Sequence, residues 1–406
     1  MAKPSVLEVF LHGDLIGTIT NLPGDRNVFD FDDSYIQNDG RPTLSLSFKD
    51  EYGDLITPSR RVNTKLPPFF SNLLPEGHLR TYLARRAEAN ERREFPLLWV
   101  LGRDLPGALL VRPAEGEEWP PGGESRGEDR QRSLLDPDVM RFSLAGVQLK
   151  FSAIMGATGG LTIPAQGIGG SWIVKLPSGR FEGVTENEYA MMTLAGAAGI
   201  EVPEIRLVPV KEIGGLPDNV EKMKGDAFII RRFDRSEQGP VHIEDFAQVF
   251  GMFPDKKYEG ASYQGIAYKI WVETGEAGIT EYIRRLVFNV LIGNADMHLK
   301  NWSFIYPDKH EPALAPAYDF VSTIAYPGLD NAMALSLMGE KEFARVTTDL
   351  FEQLIAKAGL PKKIVLDTVK ETSARFDEVW AREASHIPLN QDIVAAINAH
   401  RSRIKL

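Results

Sequence analysis

The residues best suited to chemistry lie in one run, Asn294-Ala295-Asp296-Met297-His298-Leu299-Lys300-Asn301, and in Tyr318-Asp319 shortly after it. Kinases place a base and Mg²⁺ ligands around ATP with this spacing: an Asp, an Asn five residues later, and a second Asp beyond a strand-like stretch. In this interpretation Asp296 is the base, and Asn301 and Asp319 supply the oxygen ligands that Mg²⁺ prefers. The same spacing also arises by chance in loops, so the surrounding elements must decide.

Those elements favour phosphoryl transfer. The apolar stretch 282–292 ends at Gly293, which predicts a buried helix that stops where the polar run begins. Upstream, Ile173-Val174-Lys175-Leu176 has the pattern of an apolar strand, where a Lys is costly unless an anion meets it, so Lys175 is a candidate phosphate ligand. A helix predicted to begin near Thr185 carries Glu188, which could pair with Lys175 as in kinases. The Thr185-x-x-Glu188 spacing also fits a capping box that needs no ATP.

The order of these elements predicts an α+β, kinase-like fold of two lobes, with a mixed-β small lobe followed by an all-α large lobe. Two strands, predicted at 202–208 and 227–235, form an antiparallel pair behind the Glu188 helix. Helices are also expected at 350–356 and 393–397. A P-loop enzyme is disfavoured because the sequence contains no G-x-x-x-x-G-K-[ST] motif.

A β-rich subdomain is predicted before the small lobe. Alternating residues 6–21 turn about His12-Gly13-Asp14, residues 43–48 add another strand, and a helix is expected from about Gly77 to Glu91. We expect the N-terminal subdomain at 1–112, a flexible linker at 113–135, the small lobe at 136–240 and the helical large lobe at 241–406. The linker follows from the Pro, Gly and charge content of its sequence.

Composition narrows the class of protein. The 406 residues are 43% hydrophobic and 25% charged, as expected for a globular enzyme with two or three cores. The absence of Cys excludes disulfides, thiolate metal sites and cysteine catalysis. No segment approaches the roughly 18 consecutive apolar residues of a membrane helix, so we expect a cytoplasmic protein without membrane association. The net charge of -10 argues against a chain that binds nucleic acid over its whole surface.

Several ordered motifs together resemble the HipA family, the serine/threonine kinase toxins of bacterial type II toxin–antitoxin systems. The resemblance spans most of the chain and rests on residues 69–77, 102–109, 141–150, 173–177, 187–189, 232–235, 293–301 and 318–319. It implies the cofactors ATP and Mg²⁺, and a protein target that is typically the glutamyl aminoacyl-tRNA synthetase, whose phosphorylation blocks translation and promotes growth arrest and persistence. It also implies a partner, a HipB-like DNA-binding antitoxin dimer, through which operator DNA is contacted.

The resemblance also implies roles for individual residues. Asp296 resembles the catalytic base, and Lys175 the phosphate lysine. Ser143 matches a serine that is autophosphorylated in the family, an event that ejects the adjacent phosphate loop. Further ATP-binding residues implied by the match are Ala145, Gly146, Val147, Gln148, Leu149 and Lys150 in that loop, Arg231, Arg232 and Phe233 at the adenine-side hinge, and His298, Asn301, Tyr318 and Asp319. The chain departs from the family where Arg231 replaces an acidic residue and Leu149 replaces a Glu.

Other interpretations stay open at this stage. Judged by residues alone, Ser143-Leu144-Ala145-Gly146 fits a plain turn, because a phosphate loop normally contains more glycines. The glycine-rich residues 156–160 fit a hairpin turn. His298 could bond near the phosphates or be an ordinary loop histidine, and no second His stands at metal-ligand spacing. The protein could also be a non-catalytic pseudokinase that acts as a corepressor with an antitoxin, or a small-molecule kinase. Intact Asp296, Asn301, Asp319 and Lys175 favour an active protein kinase.

Overall fold

The computed structural model describes residues 5–57, 61–77, 80–81, 84, 89–117, 150–155, 161–162, 170–216, 223–329 and 331–406. Ser143 and residues 145–149, on which the autophosphorylation and phosphate-loop predictions fall, lie outside these ranges, as does most of the expected linker. The strands are β1 Ser5–Leu11, β2 Asp14–Leu22, β3 Arg26–Phe31, β4 Val62–Asn63, β5 Leu109–Pro113, β6 Lys150–Met155, β7 Leu161–Thr162, β8 Trp172–Lys175, β9 Ile205–Pro209, β10 Ile213–Gly214, β11 Asp226–Arg231, β12 Arg235–Ser236, β13 Gly239–Pro240, β14 His242–Asp245, β15 Ser303–Tyr306, β16 Ala313–Leu314, β17 Ala332–Leu337 and β18 Glu340–Glu342. The helices are α1 Asp33–Gln37, α2 Pro68–Ser71, α3 Glu94–Leu101, α4 Val184–Ala197, α5 Phe246–Val249, α6 Tyr263–Ile292, α7 Thr348–Ala358, α8 Lys362–Glu383 and α9 Gln391–Arg401.

The first unit of the chain, residues 5–113, is built on a five-stranded sheet in the order β4-β3-β2-β1-β5. The predicted hairpin is confirmed, since β1 and β2 pair antiparallel across a turn in which His12 and Gly13 both have positive φ. Alternate residues of β1 are buried, because successive side chains of a strand point to opposite faces and one face covers a hydrophobic core. We call residues 5–113 the N-terminal unit.

The prediction of a strand at residues 43–48 is wrong. Leu46–Phe48 is a 3₁₀ turn, and the Ser45 hydroxyl accepts a hydrogen bond from the Ser47 amide at its start. The Leu46 amide donates to the carboxylate of Glu244, 3.0 Å away, so the middle of the segment bonds to a side chain of a distant strand. An alternating pattern describes which residues are buried, and a turn buried against another unit satisfies it equally well.

The second sheet places Lys175. Its six strands have the order β10-β7-β6-β8-β11-β9, and β8 is paired antiparallel with both β6 and β11. The predicted antiparallel pair is confirmed in β9 and β11. Helix α4 packs against β9 and β11 and brings Glu188 to the end of β8. Strands β6 and β7 pair antiparallel, as the hairpin prediction requires, although its turn residues lie outside the described ranges.

Helices dominate residues 241–406, but this lobe is not all-α as predicted, because it also contains the three-stranded sheet β14-β15-β16 and the strand pair β17-β18. The long helix α6 has a break at Gly275, whose φ of 63° and ψ of -146° are not helical, and it packs against α7, α8 and α9. The helices predicted near 350–356 and 393–397 are confirmed as α7 and α9. None of the helices in the described ranges is long and apolar enough to cross a membrane.

Buried polar contacts join the N-terminal unit to the rest of the molecule, and we call this boundary the seam. The Glu244 carboxylate accepts hydrogen bonds from the Ser45 hydroxyl at 2.5 Å, from the Leu46 amide and from Tyr306. Burial raises the pKa of Glu244 to about 7 despite these hydrogen bonds.

A second group of seam contacts surrounds Asp234, which is almost fully buried. Its carboxylate pairs with the guanidinium groups of Arg232 and Arg235, both at 2.8 Å. It also accepts a hydrogen bond at 2.9 Å from the backbone amide of Gly107, which belongs to the N-terminal unit. Asp104 of the same unit lies 3.4 Å from Arg232 and 3.3 Å from Arg235. A buried charge is stable only when it is paired and hydrogen-bonded, so these residues fix the two parts of the chain against each other.

Candidate active site

Lys175 lies at the centre of the candidate site. Its ammonium donates hydrogen bonds to the carboxylates of both Glu188 and Asp319. The side chain is only 5% exposed. Burial alone would lower the pKa of Lys175, but the two carboxylates outweigh burial and raise it, so the ammonium is charged at every physiological pH. The buried cation that the strand pattern predicted is therefore paired.

The predicted contact between Glu188 and Lys175 is present, whereas the alternative capping box is not formed. Helix α4 begins after Gly183, whose left-handed φ of 69° turns the chain into the helix, and among the described residues no side chain caps its N-terminus. The Thr185 hydroxyl donates to the neighbouring Glu186. Glu188 is 1% exposed, and its carboxylate pairs with the Lys175 ammonium.

The loop that carries Asp296 starts at the end of α6. Gly293 has a φ of 67°, and a Cβ atom there would come within 2.6 Å of the Ile324 side chain, so glycine is required on both grounds. The Asn294 side chain makes three hydrogen bonds that hold the loop. Its amide nitrogen donates to the Asn289 side chain at 2.8 Å and to the Asp319 backbone carbonyl at 3.3 Å. Its oxygen accepts a hydrogen bond from the Asp296 backbone amide at 3.0 Å. Asn294 thus joins the loop of Asp296 to the segment of Asp319.

Asp296 is exposed at the rim of this loop. Its Oδ1 accepts a hydrogen bond from the Tyr258 hydroxyl at 2.5 Å. Burial and the neighbouring Asp296 carboxylate raise the pKa of Tyr258, so the phenol stays protonated and remains the donor. A carboxylate that faces solvent and is oriented by one donor can accept a proton from an incoming hydroxyl group.

His298 is buried beside Asp296. Burial lowers the pKa of His298 to about 4, and the nearby Asp296 carboxylate does not offset this, so the imidazole is neutral at pH 7. The Tyr258 ring packs edge-on against it with centroids 5.0 Å apart. Within the described residues, the His298 Nδ1 atom has no hydrogen-bond partner. A buried nitrogen without a partner is uncommon, which favours a bond to a bound group over an ordinary loop histidine.

Asn301 and Asp319 provide the donor set expected for Mg²⁺. The Asn301 amide nitrogen donates to the Asp296 carbonyl at 2.9 Å, which leaves the amide oxygen as the atom that can face a cation. Asp319 has a left-handed φ of 57°, uncommon for a residue other than glycine and typical of functional positions. No cluster of three or more His, Asp and Glu side chains forms a closed metal cage in the described ranges. Mg²⁺ in kinases usually takes one or two protein carboxylates plus phosphate oxygens, so this open donor set fits it.

Two aromatic rings lie next to this cluster. Phe233 and Tyr318 have ring centroids 5.7 Å apart, and the Tyr318 hydroxyl donates to the Lys300 carbonyl at 3.0 Å. The side chain of Arg231 is exposed and lies 4.0 Å from Glu204, while that of Arg232 is committed to the seam. The amide of Arg231 donates to the Glu204 carbonyl, so a hinge contact through this amide to adenine would compete with the sheet.

The structure thus brings Lys175, Glu188 and Asp319 into direct contact and joins them to the loop of Asp296, His298 and Asn301. The side chains of Arg231 and Arg232 have other partners, Lys150 is described in its backbone alone, and Ala145 to Leu149 lie outside the described ranges. Sequence reasoning missed Tyr258 and Asn294. Asn294 lies inside the motif itself, but Tyr258 carries no local signal, because its contact with Asp296 joins residues 38 positions apart.

Two family models match this chain. One, described as the HipA N-terminal domain, matches residues 7–112, and the other, described as the HipA-like C-terminal domain, matches residues 142–380. The second model alone covers more than half of the sequence. The chain belongs to the HipA family. The family and the α+β fold class expected from the sequence motifs are therefore confirmed.

Individual relatives show how close the similarity is. A Sinorhizobium fredii protein named "Putative kinase Y4dM" is 52% identical over 410 residues, which cover 100% of this chain and 98% of the relative. The "Serine/threonine-protein kinase toxin HipA" of Shewanella oneidensis is 25% identical over 373 residues, 84% of this chain and 82% of that protein. The solved complex of Shewanella oneidensis HipA, HipB and operator DNA contains a chain that matches with a TM-score of 0.73 at 22% identity, over 98% of this chain and 95% of that one. At this identity the structural match demonstrates the shared fold alone.

Proposed function

We propose that the protein is an ATP-dependent serine/threonine protein kinase toxin. The observation that carries the proposal is the contact of Lys175 with both Glu188 and Asp319, joined through Asn294 to the loop of Asp296. Protein kinases use a strand lysine paired with a helix glutamate, a base on a loop and an acidic metal ligand for one purpose, the positioning of a γ-phosphoryl group. Family membership supports the same reaction class.

In the proposed reaction, the Asp296 carboxylate accepts the proton of a serine or threonine hydroxyl as its oxygen bonds to the γ-phosphorus of ATP. The bond between this phosphorus and the bridging oxygen breaks, and ADP leaves with its electron pair. Lys175 offers its ammonium to the phosphates, which share it with Glu188. Tyr258 holds the Asp296 carboxylate from one side, so the second carboxylate oxygen can meet the acceptor hydroxyl.

Asp319 and Asn301 would hold Mg²⁺, which when bound neutralises charge on the phosphate oxygens. Neutral His298 would bond to the nucleotide or the acceptor through its Nδ1 atom, and Phe233 and Tyr318 would flank the base. Lys150, with Ala145, Gly146, Val147, Gln148 and Leu149, would form the phosphate loop. We propose autophosphorylation at Ser143 as the reaction that removes this loop from the site.

The biological setting is proposed from the family. The target would be an aminoacyl-tRNA synthetase, with the glutamyl enzyme as the first candidate, and its phosphorylation would block translation. The partner would be a HipB-like DNA-binding antitoxin dimer, since the solved Shewanella oneidensis complex contains HipA, HipB and operator DNA. Operator DNA would be contacted mainly through that antitoxin.

Replacing Asp296 with Gln tests the reaction. The side chain is exposed, so the free energy of unfolding should change by no more than about 0.5 kcal/mol, whereas the amide cannot take a proton. We expect ³²P transfer from ATP, to the protein itself and to purified glutamyl-tRNA synthetase, to disappear together with growth arrest. Asp367→Asn is the matched control, because Asp367 is an exposed aspartate on the outer helix α8.

Equal ³²P incorporation by wild type and Asp296→Gln would reject the kinase assignment. A phosphoproteomic comparison of cells that express wild type, Asp296→Gln or Asp367→Asn would identify the acceptor. Phosphopeptides present with wild type and Asp367→Asn but missing with Asp296→Gln define the substrates, and a set without any aminoacyl-tRNA synthetase would reject the proposed target class.

A further inference from the structure

One acidic side chain of the N-terminal unit reaches the loop of Asp296. The two carboxylate oxygens of Glu76 lie 2.9 Å from the Lys257 ammonium and 3.0 Å from the Lys300 ammonium. Lys300 belongs to the candidate catalytic loop, between Asp296 and Asn301. Its ammonium also donates to the Asn72 carbonyl at 2.9 Å, so the N-terminal unit holds this lysine at two points.

The second lysine is bound to the same loop through its backbone. The Lys257 carbonyl accepts the Leu299 amide at 3.2 Å, and the next residue, Tyr258, donates its hydroxyl to Asp296. Glu76 therefore lies between two segments that meet again at Asp296. One segment carries the proposed base, and the other carries the tyrosine that orients it.

We propose that Glu76 and Tyr258 are positioning residues for Asp296, so that the N-terminal unit supplies part of the catalytic centre. This inference rests on the proposed kinase function. Without the Glu76 carboxylate, the ammonium groups of Lys257 and Lys300 would lose the anion between them, although Asp245 lies 3.9 Å from Lys300. Their repulsion would then separate the two segments. Tyr258 would then leave its hydrogen-bonding position on Asp296.

The titration of Glu76 supports this geometry. Burial acts to raise its pKa, but the charges of Lys300 and Lys257 outweigh burial and lower it, so the carboxylate is charged at neutral pH. The ion pairs are sheltered as well, since the side chains of Lys300 and Lys257 are 16% and 21% exposed. Partly buried pairs are screened less by salt than exposed ones and hold a defined geometry better.

The chain offers a matched control in the same region. Lys65 of the N-terminal unit pairs with Asp255 at 3.0 Å, two residues before Lys257. This pair crosses the same seam, but both side chains are more exposed, at 38% and 61%. The lysine on the catalytic loop, Lys300, pairs with Glu76 and forms no part of the Lys65–Asp255 pair. Loss of a general contact between the units is thus separable from loss of the Glu76 contacts.

The test compares full-length Glu76→Gln, Tyr258→Phe, their double variant and Asp255→Asn by steady-state kinetics, with glutamyl-tRNA synthetase or a generic serine-containing protein as acceptor. A displaced base lowers kcat on the order of tenfold to a hundredfold. We expect that loss in Glu76→Gln and in Tyr258→Phe, with ATP affinity unchanged because Lys175 and Asp319 are retained. Because Glu76 acts through Tyr258, the double variant should lose no more than the worse single variant. Asp255→Asn should keep the wild-type kcat.

Hydrogen exchange gives a readout that does not depend on activity. Amides of residues 296–301 should exchange faster in Glu76→Gln than in wild type, and those of Asp255→Asn should not. Wild-type exchange and kcat in Glu76→Gln would overturn the inference, as would an equal loss in Asp255→Asn. A higher kcat in Tyr258→Phe would overturn it too, because the tyrosine would then compete with the acceptor for Asp296. If the wild-type protein shows no phosphoryl transfer, the proposed function is rejected. Hydrogen exchange would still show whether Glu76 positions the loop.

Discussion

The Lys175→Met variant, which removes the ammonium shared by Glu188 and Asp319, should have a free energy of unfolding that depends on pH. In Lys175→Met, Glu188 keeps its buried position but loses the ammonium group of Lys175. Loss of the adjacent cation favours the neutral form of a buried carboxyl group, so we expect Glu188 to take up a proton when the variant folds. An ordinary glutamic acid has a pKa of about 4.3, so holding one neutral costs about 3.7 kcal/mol at pH 7 and about 1 kcal/mol at pH 5.

The sign of the pH dependence follows from the same reasoning. The carboxyl of the variant binds its proton more tightly in the folded chain than in the unfolded chain. The proton-linked loss of unfolding free energy is therefore absent below about pH 4.3 and grows as the pH rises, by about 1.4 kcal/mol per unit. Lost packing adds a cost that does not vary with pH. The decisive quantity is the difference between the penalties at pH 7 and pH 5, which should be about 2.7 kcal/mol.

Urea unfolding of wild type and Lys175→Met at both pH values measures this difference. The double variant Lys175→Met/Glu188→Gln is the control, because an amide needs no proton to be neutral, and its penalty should be the same at both pH values. A penalty in Lys175→Met that is equal at pH 5 and pH 7 would refute the reasoning. So would a double variant with the same pH dependence as the single one.

Two further predictions concern the nucleotide. Asp319→Asn should weaken Mg·ATP binding about tenfold or more, since it removes one charge from a hard-cation site. Stability should be largely kept, because Lys175 retains Glu188. Calorimetry that finds unchanged Mg·ATP affinity would reject this role. Wild type incubated with Mg·ATP should gain a phosphate at Ser143, about 1.5 to 2 negative charges, and lose ATP affinity, whereas Ser143→Ala and Asp296→Gln stay unmodified there. Mass spectrometry that finds Ser143 phosphorylated without loss of ATP affinity would contradict self-inactivation.

The parts of the site that the sequence could predict are those with local causes. A lysine in an apolar strand needs a buried anion, and the kinase-like pairing of a strand lysine with a helix glutamate predicts that Glu188 supplies it. The end of helix α6 was predictable for a similar reason, because Gly293 has the left-handed backbone that terminates helices. The spacing from Asp296 to Asn301 also follows from local geometry, since the Asn301 side chain returns to the Asp296 carbonyl.

Contacts between distant segments left no such pattern. Glu76 and Lys257 are 181 positions apart. Glu76 lies in the stretch 69–77 that resembles the family, but nothing in the sequence predicts that it pairs with Lys257. The wrong strand at residues 43–48 has the same origin, because the Leu46 amide bonds to Glu244, 198 positions away. Periodicity reports which side chains are buried, but not which other segment covers them.

The seam has a consequence for how a gene of this kind could be divided. If the chain were cut between residues 117 and 150 and made as two polypeptides, the first piece would expose Asp104, and the second would expose Asp234 with its two arginines and the buried acid Glu244. The polar groups exposed on one piece pair with groups on the other piece in the intact chain, and they are costly to leave unpaired. Two such polypeptides would recognise each other specifically, and a split gene would have to keep both halves under joint expression. A half taken from a distant relative would restore the assembly only if it carried the matching charges.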